Sequence, residues 1–212
     1  MPRGYTDRMT ALSSPATARN RDHILEVLRE HLPATGLVLE IAAGAGEHAL
    51  YMATHLPGLT WQPTDPDPQA LASIAAWRET GPPGLLAPLE LDAARPDSWP
   101  IRAADAIVCI NMIHISPWAA TEGLFAGAAR LLPADGVLIT YGPYLEDDVQ
   151  AAPSNLAFDG SLKSRNPAWG IRRRKDLEAL AARHGLALAA RMAMPANNLA
   201  LVFRRSANMN GR

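Results

Sequence analysis

Two hydrophobic patterns alternate along the chain: short continuous apolar runs, and longer segments in which apolar residues recur every three or four positions. The apolar runs include GLVLEI at 36–41, DAIVCIN at 105–111 and GVLITYG at 136–142. Segments with helical spacing, such as EHALYMATHL and PWAATEGLFAGAARLL, lie between them. Continuous apolar strands that alternate with helices predict an α/β fold, with a parallel sheet covered on both faces.

The last part of the chain has a different pattern. Two strand-like segments, LALAARMAM and NLALVFRR, are separated only by residues 195–197. A parallel crossover needs a much longer connection, so these two segments must form an antiparallel hairpin.

Domain organisation follows from the extent of these patterns. We predict one domain over residues 14–205, preceded by a flexible arm at 1–13 and followed by a tail at 206–212. Residues 143–170 show no clear periodicity and contain several aromatic side chains. A loop of this length without regular structure is typical of a lid, so we predict that 143–170 covers the binding site of a substrate.

Composition narrows the class of protein. Of 212 residues, 48% are hydrophobic and 19% are charged, and the formal net charge is −1. This balance is that of a globular protein and argues against nucleic-acid or anionic-membrane partners. The chain has no apolar run long enough to span a bilayer, so we expect a cytoplasmic protein. No cluster of residues has the spacing of a metal site, and oligomeric state stays open.

The stretch LEIAAGAGEHA at 39–49 carries the first chemical signal. From Gly44 it fits the G-x-G-x-x-G/A pattern, in which glycines let the backbone approach a cofactor closely. Both dinucleotides and S-adenosylmethionine use such a turn. Glu40 favours S-adenosylmethionine, because a buried carboxylate needs a partner and would repel a pyrophosphate. Asp65 ends the second strand, where an acid can accept hydrogen bonds from the ribose hydroxyls of either kind of cofactor.

The chain resembles a known family at several further segments: WQPTD, LELDA, INMIHISPW, SNLAFDGSL, RNPAWGIR and PANNLALVFR. Together with the glycine turn, they resemble the class I methyltransferase-like family of unknown function that includes methyltransferase-like protein twenty-six. The resemblance implies a Rossmann-like fold with a seven-stranded, mostly parallel sheet of order 3-2-1-4-5-7-6 and an antiparallel last strand. Ala43 and Ala45 depart from the family, which has hydroxyl residues there.

The resemblance and the position of each strand end imply a set of cofactor-binding residues. Asp92, at the end of the third strand, could accept a hydrogen bond from the adenine amino group or cap a turn. Arg19 and Asn20 match the family and could cover the cofactor carboxylate, or lie on an ordinary helix surface. The complete predicted cofactor set is Arg19, Asn20, Glu40, Ala42, Gly44, Gly46, Asp65, Asp92, Asn111 and Met112.

Candidate catalytic and acceptor residues follow the fourth and fifth strands. His114 could act as a base or cap local backbone, and Tyr141 and Tyr144 are predicted to face one cavity with it. Trp118 could wall the acceptor pocket or be a core aromatic residue at a helix start. The predicted acceptor-binding residues are Trp118, Asn155, Asp159, Arg165 and Trp169. The basic run at 172–175 is either a solvated patch or a site for an acidic group.

These observations predict transfer of a methyl group from S-adenosylmethionine to an N, O or S nucleophile of a small molecule. Two alternatives stay open. One is a protein that binds S-adenosylmethionine without catalysis. The other is an NAD(P)-dependent reductase, which depends on GAGEHA alone and is disfavoured by Glu40 and the terminal hairpin.

Overall fold

A computed structural model of the protein describes residues 11, 12 and 15–206, and in this part of the chain six α-helices cover a seven-stranded sheet. The helices are α1 (Pro15–His31), α2 (Glu47–His55), α3 (Pro68–Glu79), α4 (Trp118–Leu131), α5 (Pro153–Arg165) and α6 (Arg174–Arg183). The strands are β1 (Gly36–Ile41), β2 (Leu59–Asp65), β3 (Leu89–Glu90), β4 (Ala106–Ile110), β5 (Val137–Gly142), β6 (Leu186–Met194) and β7 (Asn198–Arg205). Apart from residues 11, 12 and 206, the predicted arm and tail lie outside the described residues.

The strand order of the sheet is β3-β2-β1-β4-β5-β7-β6. Strands β1 to β5 pair in parallel, whereas β7 runs antiparallel to both β5 and β6. The hairpin connection at 195–197 includes Ala196 and Asn197, each with a φ of 57°. The predicted fold class, strand order and antiparallel last strand are confirmed.

Each face of the sheet carries its own hydrophobic core. On one face, Leu28 of α1 and Met52 of α2 pack with Val38 and Trp61. On the other face, Phe125 of α4 meets Phe203 of β7, with ring centroids 5.0 Å apart. Because side chains alternate along a strand, β1 contributes Val38 to the first core and Leu39 to the second. The carboxyl ends of the parallel strands therefore form a rigid edge between two packed layers.

Residues 143–170 differ from the prediction. They contain helix α5, and Tyr144–Leu145 forms a short parallel pair with Arg172–Arg173. The prediction of a segment without regular structure is wrong over 153–165. Pro153 occupies the first turn of α5, and Leu162 anchors the helix with 0% of its surface exposed. None of the helices in the described part of the chain is long and apolar enough to cross a membrane.

Candidate active site

The turn between β1 and α2 holds an unusual backbone conformation. Ala42 and Gly44 each have a φ of 56°, and Gly46 has a φ of 88°. A Cβ added to Gly46 would lie 2.8 Å from Cγ1 of Ile74 in α3, whereas a Cβ added to Gly44 would meet nothing within 4 Å. Gly46 is therefore required by packing. Gly44 instead exposes its backbone to the open space beside it, as a close ligand contact requires.

Asp65 at the end of β2 is tied to this turn. Its carboxylate accepts hydrogen bonds from the backbone N–H groups of Gly44 and Asp67, both at 2.9 Å. Burial raises the pKa of Asp65, and the two backbone donors oppose that effect. Each carboxylate oxygen keeps a further acceptor position, which suits the paired hydroxyls of a ribose.

A first cleft of about 470 Å³ runs along the edge formed by β1, β2 and β4. Gly44, Asp65, Asp92 and Met112 line it, together with the predicted residue Ala42. Asp92 also accepts a hydrogen bond from the N–H of Ala94 at 2.9 Å, so it caps a turn as the alternative interpretation anticipated. Its side chain is exposed enough to line the cleft as well.

A second cleft of about 640 Å³ adjoins the first. The two clefts share the segment after β4: Ile110 and Met112 line the first, and Asn111 and His114 line the second. Asn111 has a φ of 63°, which turns this segment sharply. The second cleft is lined by Arg19, Asn20, Asn111, His114, Tyr141, Pro143, Phe158, Pro195, Ala196 and Asn198.

His114 lies between β5 and α5. Its side chain packs edge-on against Phe158 with ring centroids 5.6 Å apart, and its surface is 6% exposed. Burial, followed by the positive charges of Arg172 and Arg165, lowers the pKa of His114 to about 4. At neutral pH the imidazole is therefore uncharged.

Polar side chains connect the glycine turn to the terminal hairpin. Nε2 of His48 lies 2.8 Å from Oδ1 of Asn20. Burial raises the pKa of Tyr141, and the Asn20 and Asn198 side chains bonded to its hydroxyl partly offset this rise. Asn20 thus joins α2 to β5, and Tyr141 joins β5 to the hairpin.

His48 and Asn198 were absent from the predicted site. Burial is also the main reason why the pKa of His48 falls to about 4. Both residues fall within segments that carry the family resemblance, GAGEHA and PANNLALVFR, and this was the available signal. Sequence spacing does not reveal that His48 contacts Asn20 and that Asn198 contacts Tyr141.

Glu40 has a partner other than a ligand. Its carboxylate accepts a hydrogen bond of 2.6 Å from Nε1 of Trp61, and 1% of its surface is exposed. Burial raises its pKa to about 7, an effect that the Trp61 bond opposes and the charge of Asp65 increases. Glu40 is not among the residues that line the two clefts. The argument that its carboxylate needs a cofactor as partner is therefore wrong.

Contrary to the prediction, Tyr141 and Tyr144 do not face the same cavity. Tyr141 lines the second cleft, whereas Tyr144 donates a hydrogen bond to Oγ1 of Thr140 at 2.9 Å and lines a separate pocket. Three positions apart in extended chain, the two side chains point to opposite faces. Burial raises the pKa of Tyr144 further above its ordinary value. The assignment of Tyr144 to the catalytic cavity is wrong.

Trp118 is not among the residues that line either cleft. It begins α4, packs partly buried against one core and faces the guanidinium of Arg172, whose carbon is 5.8 Å from the ring centroid. The interpretation as an aromatic residue at a helix start is the one that the structure supports.

The predicted lid residues have structural partners. Asn155 donates a hydrogen bond to the Asn197 carbonyl oxygen at 3.0 Å. The guanidinium carbon of Arg165 lies 5.6 Å from the ring centroid of Trp169. Asp159 pairs with Lys163 at 2.5 Å and accepts a hydrogen bond from the N–H of Ile171. None of the four is among the residues that line the second cleft, to which α5 instead contributes Phe158. These four residues hold α5 in place, and their direct contact with an acceptor stays a prediction.

Residues 173–175 of the basic run pair with acidic side chains, whereas Arg172 donates hydrogen bonds to main-chain carbonyl oxygens. Arg173 and Lys175 pair with Asp147 at 2.7 and 2.8 Å, and Arg174 pairs with Glu146 at 3.0 Å. The carboxylates of Asp147 and Glu146 therefore compensate residues 173–175. Within the described ranges, His, Cys, Asp and Glu side chains form no group of three or more that could hold a metal ion.

Several solved structures that the chain resembles are methyltransferases. CalO1, a methyltransferase in calicheamicin biosynthesis solved in its SAH-bound form, is 19% identical over 88% of this chain and 54% of its own, with a TM-score of 0.69. The mitomycin 7-O-methyltransferase MmcR is 16% identical over 90% and 54%, with a TM-score of 0.76. An O-methyltransferase family protein from Burkholderia thailandensis is 18% identical over 91% and 58%, with a TM-score of 0.75.

These likenesses define the class: the chain has the Rossmann-like fold of the class I methyltransferases, and it spans about half the length of these structures. Within that class, the chain belongs to the family described as protein of unknown function DUF938, whose profile matches residues 11–205.

Proposed function

We propose that the protein transfers a methyl group from S-adenosylmethionine to a small molecule. The observation that carries this proposal is the pairing of two features in one cleft. The open backbone at Gly44 and the carboxylate of Asp65 lie at the ends of adjacent strands, joined by a hydrogen bond of 2.9 Å. The SAH-bound state of a structural neighbour and the resemblance to the methyltransferase-like family support the same assignment.

The residues of the first cleft fit an adenosine ligand. Asp65 would accept hydrogen bonds from the ribose hydroxyls, Asp92 would meet the adenine edge, and Met112 would pack beside the base. Arg19 and Asn20, which line the second cleft, would hold the carboxylate at the amino-acid end of the cofactor. When bound, S-adenosylmethionine supplies an electrophilic methyl group on a positively charged sulfur.

The second cleft would position the acceptor. His114 and Tyr141 present polar groups, and Phe158 and Pro143 present apolar surface opposite them. Since methyl transfer depends mainly on orientation and exclusion of water, this arrangement requires no covalent intermediate on the protein. Helix α5, which forms residues 153–165 of the predicted lid, would cover this cleft.

Incubation of the protein with methyl-labelled S-adenosylmethionine and a small-molecule extract tests the proposal. We expect label to appear in extract compounds with wild-type protein and to fall to background with Asp65→Asn. Transfer that is equal for both proteins, or that is absent from every extract fraction, would count against an enzymatic role.

A further inference from the structure

The charges around the second cleft restrict what can be methylated there. We propose that the acceptor is a planar aromatic small molecule that reacts through an anionic atom, such as a thiolate, an acidic phenolate or a carboxylate. This inference rests on the proposed function and names the class of its acceptor. Protonated amines are excluded as acceptors in this cleft.

The lining of the cleft carries the first part of the argument. Of the ten described residues that line it, none is Asp or Glu, and Arg19, the one cation among them, is assigned above to the carboxylate of the cofactor. The remaining polar groups are neutral at pH 7: three asparagine amides, the phenol of Tyr141 and the imidazole of His114. Phe158, Pro143 and Pro195 provide flat apolar surface, which suits an aromatic ring.

Positive charge behind the lining is the second part. Arg172 lies close enough to His114 to lower its pKa, and so does Arg165. Among the described residues, the hydrogen bonds of Arg172 go to main-chain carbonyl oxygens, those of Ile113, Ser116 and Ala168. The carbonyl groups hold the guanidinium in place and carry no net charge. The carboxylate of Asp159 also acts on Arg172, but Asp159 is paired with Lys163, so these three side chains together carry a net positive charge.

Nearby carboxylates are engaged elsewhere. Asp159 is occupied by Lys163 and by the backbone of Ile171. Glu146 pairs with Arg174 and with Arg191, which lowers its pKa, and it lines a different pocket. No side chain in the described lining is therefore placed to neutralise an ammonium group, and burying that group unpaired would be costly.

The chemistry of the transfer agrees with this selection. The lone pair of the acceptor atom forms the bond to the methyl carbon, and the electron pair of the broken carbon–sulfur bond returns to sulfur. An anionic acceptor has already lost its proton to water and needs no base. An ammonium group would first have to transfer a proton, and His114, with a pKa of about 4, is a weak base for this step.

Benzoate and benzylamine, which share a ring and differ in charge at pH 7.5, are suitable probes. Their affinities are measured by NMR titration of the protein saturated with S-adenosylhomocysteine. Phe158→Glu introduces a carboxylate at a lining position that is 39% exposed, and Phe158→Gln is its uncharged control of matched shape. Thermal melts of both variants confirm that they are folded.

We expect wild-type protein to bind benzoate at least about tenfold more tightly than benzylamine. Phe158→Gln should weaken both probes alike, and Phe158→Glu should lower the benzoate-to-benzylamine ratio by a further factor of about ten. Equal binding of the two probes, no binding of either, or the same ratio in both variants would overturn the inference. Failure to bind S-adenosylhomocysteine at all would instead overturn the proposed function.

Discussion

Single residues at the ends of β1 and β2 determine what the first cleft can hold. Asp65 is the clearest of them, because its carboxylate is 7% exposed, is fixed by two backbone donors and lines the cleft. The position of this acid at a strand end was visible in the sequence. Its bond to Gly44, which joins the acid to the turn, was not.

Replacing Asp65 by Asn tests the ribose assignment. A neutral amide loses charge-assisted hydrogen bonds, each worth about 1.5–3 kcal/mol, so affinity for S-adenosylmethionine should fall at least about tenfold in calorimetry. Asp67→Asn is the matched control, since Asp67 is exposed, caps α3 through the N–H of Gln69 and lies outside the cleft lining. Asn is also a good cap. Equal losses for the two variants would refute the assignment.

His114 illustrates how environment changes a residue that sequence alone identifies. As a base with an ordinary pKa, it would lose activity as the pH falls through about 6.5. Its pKa of about 4 moves that loss to more acidic solution and leaves the imidazole neutral at pH 7. We therefore expect His114 to orient the acceptor by hydrogen bonding, and a rate profile without a His114-dependent limb near pH 6.5.

The same shift predicts acid sensitivity of the fold. The unfolded chain binds a proton near pH 6.5 that folded His114 does not bind until about pH 4, so its contribution is complete above 6.5 and lost as the pH falls. Between pH 7 and 5 the free energy of unfolding should decrease by roughly 2 kcal/mol through this residue. Urea titrations of wild type and His114→Gln measure it: the variant should show a shallower decrease, and identical decreases would contradict the shift.

At the scale of elements, the sequence predicted regular strands and helices well and missed α5. Strands β1, β6 and β7 begin and end where the hydrophobic pattern placed them. Helix α5 reads PSNLAFDGSLKSR, with Gly160 and several Ser and Asn residues of low helix propensity. Its buried residues are Asn155 and Leu162, which give little apolar periodicity. Tertiary contacts, and not local preference, form this helix.

Two glycines of the turn between β1 and α2 can be compared with Gly160 of α5. Gly44→Ala should cost about 1–2 kcal/mol of stability through its positive φ. It should also lose most affinity for S-adenosylmethionine, because the new methyl group enters the space beside the turn. Gly46→Ala should destabilise more, since its Cβ would meet Ile74. Gly160→Ala in α5, where a Cβ meets nothing within 4 Å, should stabilise by about 0.5–1 kcal/mol. Melting curves and calorimetry distinguish these outcomes.

Helix α5 is attached to the terminal hairpin through Asn155. Asn155→Ala removes its bond to the Asn197 carbonyl oxygen, a loss of about 0.5–1.5 kcal/mol, and should speed hydrogen exchange over 153–165. Benzoate binding should weaken while affinity for S-adenosylhomocysteine stays unchanged, since Asn155 lies outside the first cleft. Ser161→Ala, an exposed position on the same helix, is the control. Unchanged exchange and probe binding would separate α5 from the acceptor site.

At the scale of the whole molecule, the sheet order brings the ends of β1, β2, β4 and β5 to one edge, where both clefts lie. The alternating pattern and the short hairpin connection predicted a parallel sheet with an antiparallel hairpin at its end, and the family resemblance implied the strand order. The sequence patterns could not predict toward which side of that edge each side chain near a strand end points. Tyr144, Trp118 and Glu40 were misplaced for this reason. The partners of Trp118 and Glu40, which are Arg172 and Trp61, come from elements distant in sequence, whereas Tyr144 turns back onto Thr140 of the preceding strand.

Calorimetric titration of the pure protein with S-adenosylmethionine, S-adenosylhomocysteine and NADH tests the central claim most directly. We expect both adenosyl ligands to bind at one site, to raise the melting temperature by mass action and to lose affinity in Asp65→Asn. NADH should give neither heat of binding nor stabilisation. Binding of NADH with no response to the adenosyl ligands would contradict the account and favour the dinucleotide alternative.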